Sequence, residues 1–144
     1  MTKIVLAEAA LLGVTHQAKD GMMRAQLRIQ AVLSAAEQKK LHISLNGFKA
    51  VELNQEYELV ELKFIPPDSL KYHQLTVMVE RAAKFKVRGY EATEDKPERQ
   101  VLEFTAYASG PQYEAVNFMA TLGNQPCQVE LADFQIALFE ETAQ

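Results

Sequence analysis

The segment Lys84-Phe85-Lys86-Val87-Arg88-Gly89-Tyr90 sets three cations and an aromatic ring on alternate positions, with Phe85 and Val87 between the cations. In an extended chain successive side chains point to opposite faces, so Lys84, Lys86, Arg88 and Tyr90 are expected on one side. Arg24, Gln26, Arg28 and Gln30 form a second polar row of the same period. Cations that follow phosphates beside a ring that stacks on bases are what a single-stranded nucleic acid requires. Arg24, Arg28, Lys84, Lys86, Arg88 and Tyr90 are therefore the candidate nucleic-acid-binding residues, provided the two rows lie on neighbouring strands. The competing reading is a solvated strand face, where lysine and arginine maintain solubility and discourage edge pairing.

Other chemistries find less support. The six glycines form neither a Walker nor a dinucleotide pattern, so no clustered backbone N–H groups are expected to face a phosphate. His16, His42 and His73 fall in different segments, and His16 and Asp20 flank a turn rather than share a helical face. No metal and no cofactor is expected. Asp68, Ser69 and His73 follow two prolines, where turn chemistry explains them better than a catalytic set. Glu56, Glu58 and Glu61 are close in sequence, but Glu58 and Glu61 fall on opposite strand faces. Cys127, the lone cysteine, is expected to pack as a small apolar group. The expectation is a protein without enzymatic activity.

Composition sets the frame for these residues. A chain of 144 residues, 48% hydrophobic and 24% charged, can bury a core without disulfide or metal, and the simplest reading is one β-rich domain over residues 1–144. The net charge of −4 disfavours general attraction to nucleic acid. However, Gln128 to Gln144 holds four acids and no Lys or Arg, so the chain carries an acidic C-terminal end and is neutral elsewhere. Glu8 interrupts the apolar run after Lys3, which favours a strand over a signal peptide. No run approaches the length of a membrane helix, and one cysteine fits a reducing compartment. A cytoplasmic protein without membrane association is expected.

Period-two alternation dominates the chain and marks half-buried strands. Asp20-Gly21 joins Lys3–Gln17 to Met22–Leu33 as a hairpin, and Asn46-Gly47 marks a second hairpin within residues 41–53. A helical period also fits Met22, Ala25, Ile29, Val32 and Ala36. Ser34 to Glu37 fits a capping box. Tyr57–Ile65, His73–Tyr90, Arg99–Ala108 and Cys127–Phe139 read as further strands; the odd positions of His73–Tyr90, from Leu75 through Arg81 to Val87, fit one register on one face, with a bulge near Ala82-Ala83 as the alternative, and a bulge is expected near Ala132-Asp133. One helix is expected from Pro111 to Leu122, capped by Ser109 and stopped by Gly123, with Tyr113, Val116, Met119 and Ala120 buried.

The result is a mostly β (α+β) fold, an antiparallel barrel or sandwich of about eight strands with one late α-helix. Two functions follow from it: a single-stranded nucleic-acid-binding protein, or a self-assembling module that pairs with a homo-oligomeric copy or another protein. A small-ligand enzyme with a barrel cavity is a third.

Overall fold

A computed structural model describes residues 3–40, 50–53, 56–68, 73–122 and 125–133. Seven strands and two helices occur among them: β1 Lys3–Lys19, β2 Met22–Leu33, α1 Ala35–Lys40, β3 Ala50–Glu52, β4 Tyr57–Ile65, β5 Leu75–Tyr90, β6 Arg99–Ser109, α2 Tyr113–Leu122 and β7 Cys127–Asp133. The expected β-rich antiparallel architecture is observed. Strands β1, β2, β6, β5, β4 and β7 pair in that order, and β7 returns to β1, which closes the sheet into a barrel. Closure covers both edges of these strands where they pair, while β1 beyond Ala9 and β5 beyond Ala82 run past the ends of β7 and β4. β3 adds to β5 at Lys86–Arg88, beyond the reach of β4.

Local chemistry builds the first hairpin. Asp20 and Gly21 both adopt left-handed φ, 53° and 76°, and Lys19 pairs with Met22 across the two-residue turn. The alternation of β2 buries Ala25, Leu27, Ile29, Ala31 and Leu33, so the strand period prevails over the helical one. Helix starts only after Leu33, where Ser34 and Glu37 form the capping box. The Ser34 N–H donates to Glu37 Oε1 at 2.9 Å, and the Glu37 N–H donates to Ser34 Oγ at 3.1 Å. Glu37 Oε2 also accepts from the Ala7 N–H, which lies where β1 shifts register against β7.

Bulges bend the long strands. β1 shifts register between Leu6 and Ala9 and again between Leu11 and Gly13, so one strand serves two partners. β5 shifts between Ala83 and Lys86, and Lys84 takes φ 59° there. The bulge lies beside the expected Ala82-Ala83 position, and odd-numbered residues are buried on both sides of it, from Leu75 to Val79 and from Ala83 to Val87. Arg81 is exposed, whereas a register held throughout would place it with Val79 and Ala83; Ala82 and Ala83 are both buried.

The interior is apolar throughout, with no buried polar or charged side chain among the described residues. Leu27, Ile29, Val60, Leu62, Phe64, Val87, Ala106 and Val129 are at most 1% exposed. Cys127 is buried, as expected, and burial pushes its thiol up to about 11.

Helix α2 lies between β6 and β7 in the chain and packs against β1 and β5. Ala115 and Leu122 are its buried residues, and Phe118 lies 5.6 Å from Phe64. The expected stripe of Tyr113, Val116, Met119 and Ala120 is therefore rotated: Tyr113 is 64% exposed, Ala120 is exposed, and Val116 and Met119 are half-buried. The exposed Tyr113 ring lies 5.5 Å from His16, which accepts the Gln112 N–H through Nε2 at 2.9 Å. Gln112 Nε2 donates to the Ser109 carbonyl. The second hairpin turn at Asn46-Gly47, Ser69, His42, Gly123 and the chain beyond Asp133, with its acidic end and expected Phe134–Phe139 extension, lie outside the described residues.

Candidate functional site

Burial inside the barrel orients the cations outside it. Phe85 stacks on Phe104 at 4.8 Å and meets the Tyr57 ring edge-on at 5.6 Å, while Val87 is wholly buried. These anchors leave Lys84, Lys86 and Arg88 exposed on the opposite face, as expected from the alternation. On β2, buried Leu27 and Ile29 present Arg28 outward in the same way, and buried Ala25 does so for Arg24.

The two basic rows are not on neighbouring strands. β6 lies between them, pairing Arg28 with Thr105 on one side and Ala83 with Thr105 on the other. The rows nonetheless converge across it. Arg28, Lys84 and Lys86 line one surface depression of about 460 Å³, together with Glu52, Glu103 and Thr105. The left-handed turn of Lys84 re-aims its side chain at this bulge, a conformation that costs a non-glycine residue roughly 1–2 kcal/mol.

Tyr107 on β6 is the ring that sequence reasoning missed. The Arg81 guanidinium lies 4.5 Å from its centroid and the Lys84 ammonium 5.8 Å. The signal was present in the alternation of β6: with Leu102, Phe104 and Ala106 inside, Glu103, Thr105 and Tyr107 face outward. Arg81 was missed because a continuous register placed it inside.

Tyr90 differs from a bare stacking platform. Arg88 and Arg99 lie over its ring at 5.1 and 5.0 Å, so a base reaches it only by displacing or joining a guanidinium. Several cations also have carboxylate neighbours: Arg24 with Glu80 at 3.5 Å, Arg81 with Glu56 at 3.6 Å and Lys86 with Glu103 at 3.6 Å. These pairs are open to solvent, and such pairs contribute roughly 0–1 kcal/mol each, so a phosphate can replace the carboxylate at small cost. No carboxylate ion pair to Arg28, Lys84 or Arg88 occurs among the described residues.

The carboxylates and histidines weighed for catalysis are not brought together among the described residues. Asp68 and His73 are both exposed and Ser69 lies outside the described residues. Glu61 pairs with Lys63 and Glu56 with Arg81. No group of three metal-ligating side chains occurs among the described residues, and no helix among them is long and apolar enough to cross a membrane. Comparison with protein-family models, with curated proteins and with solved structures found no match.

Proposed function

We propose that this is a non-catalytic binding protein that takes single-stranded nucleic acid on the outer face of β2, β6 and β5. The observation that carries the reading is the depression shared by Arg28, Lys84 and Lys86, with the cation-bearing Tyr107 ring nearby on β6. Phosphates engage the cations, and a base adds to the Tyr107 stack at roughly 1–3 kcal/mol. Arg24 and Arg88 extend the positive surface on either side. The net charge of −4 limits binding to this face rather than spreading it over the molecule.

Fluorescence anisotropy of a labelled oligo-dT against salt tests the reading. Phosphate contacts from Arg24, Arg28, Lys84, Lys86 and Arg88 predict that log K falls with log salt at a slope of about −3.5, at about −0.7 per contact on single strands. No binding at micromolar protein, or binding indifferent to salt, contradicts it.

A second reading, assembly with another protein chain, is favoured by Leu59 and Met78, which are 49% and 52% exposed on the adjacent strands β4 and β5. It predicts a stable oligomer by light scattering without nucleic acid; a monomeric mass at every concentration contradicts it.

A further inference from the structure

We propose that the ligand runs lengthwise along β6, from the Tyr107 end to the Tyr90 end, rather than across the barrel. This rests on the nucleic-acid reading above and specifies the path and length of its ligand. Three depressions succeed one another on the outer surface, and β6 contributes to all of them in sequence order. The first, about 440 Å³, is lined by Tyr107 with Arg24 and Arg81. The second, about 460 Å³, holds Thr105 and Glu103 with Arg28, Lys84 and Lys86. The third, about 580 Å³, lies at Val101 and Arg99 with Tyr90 and Lys96.

Cations outnumber carboxylates in each depression, where Glu58 and Glu80 line the first, Glu52 and Glu103 the second and Glu8 the third, and the first and third contain a tyrosine with two cationic groups over its ring. A compact anion needs only one such place; an elongated polyanion uses all three. Register gives the span. Tyr107 pairs with Arg81 and Arg99 with Tyr90, eight residues apart on β6, or about 26 Å at roughly 3.3 Å per residue. At about 3.4 Å per stacked nucleotide that distance accommodates roughly eight nucleotides, and fewer if the strand is stretched.

The third depression distinguishes this path from a ligand confined to the middle. Its loop, residues 93–98, is held by reciprocal contacts: the Thr93 N–H donates to the Lys96 carbonyl at 2.8 Å, and the Lys96 N–H donates to Thr93 Oγ1 at 3.2 Å. Lys96 is thus held at the far end of the row, while its side chain remains exposed.

The test is a length series of oligo-dT of about four, eight and twelve nucleotides, read by anisotropy with wild type, Lys96→Glu and Tyr90→Ala. Affinity is expected to rise at least about tenfold from the shortest to the eight-nucleotide ligand and then level, with the salt slope steepening by about 0.7 for each added contact. Lys96→Glu, an exposed loop change that leaves the barrel intact, is expected to weaken the long ligands about threefold to tenfold and leave the short one unchanged. Tyr90→Ala is expected to act in the same direction.

If short and long ligands bind equally, or both variants are silent at every length, the lengthwise path is wrong while nucleic-acid binding stands. If no length binds, the reading beneath it fails. Displacement of the longest ligand by polyglutamate as effectively as by unlabelled oligo-dT overturns recognition of nucleic acid on this path in favour of an acidic protein partner.

Discussion

The barrel interior and the outer face of β2, β6 and β5 are built by the same strands with opposite logic. Inside, Phe85, Phe104 and Val87 are buried among apolar neighbours. One residue away on the same strand, Lys84 and Lys86 stand in water beside Arg28. The interior is therefore set by volume, where a lost methylene is felt at once. The outer face is set by charge and by the bulge that aims it, where substitution disturbs binding more than folding. That contrast teaches that stability and ligand affinity are separable in this molecule.

The strongest way to break the contrast is from within. Phe64 is fully buried and supports Phe118 of α2, so Phe64→Ala is expected to cost about 3–5 kcal/mol in denaturant unfolding. A smaller loss would mean that the packing of Phe64 against Phe118 is loose. Oligonucleotide affinity of the fraction that remains folded should be unchanged.

Next in size is the alkaline limit set by Cys127, whose folded thiol is pushed up by burial from 9.0 to about 11. The unfolded chain ionises this thiol first. Stability that is fully present below about pH 9 is then lost as pH rises towards about 11, in total of order 2 kcal/mol. Lysines and tyrosines titrate in the same range, so the quantity to measure is the difference between wild type and Cys127→Ala, which should shrink across that window. A constant difference would contradict burial of the thiol.

The smallest and most selective test lies at the bulge. Lys84→Gly and Lys84→Ala both remove the cation, but only glycine adopts φ 59° without penalty. The glycine variant should be more stable than the alanine variant by about 1 kcal/mol, the cost of left-handed backbone for an L residue. Both should lose oligonucleotide affinity equally. Equal stability would mean that the bulge relaxes, and unequal affinity would mean that backbone shape rather than charge serves the ligand.

Legibility in the sequence follows the range of the interactions. Asp20-Gly21 and the Ser34–Glu37 capping box are fixed by neighbours two or three residues apart, and both stand as the residues dictate. Alternation likewise reveals which face of β2, β4 and β6 is buried. What it lacks is strand order. The pairing of Arg28 and Ala83 with the same Thr105 joins residues from three distant segments, and no local pattern encodes it. Tyr107 went unnoticed for that reason, since its value depends on Arg81 and Lys84 arriving from β5. The rotation of α2 has a similar origin. Its own periodicity admits more than one buried stripe, and the choice is made by His16 and Phe64 on other strands.

The central claim is that the converging cations bind nucleic acid without supporting the fold. The most direct measurement is the double charge reversal Lys84→Glu with Lys86→Glu, with oligo-dT affinity and unfolding free energy determined on the same preparation. The account predicts at least about a hundredfold loss of affinity at low salt, with stability changed by no more than about 1 kcal/mol. Unaltered affinity in a folded double variant would contradict it.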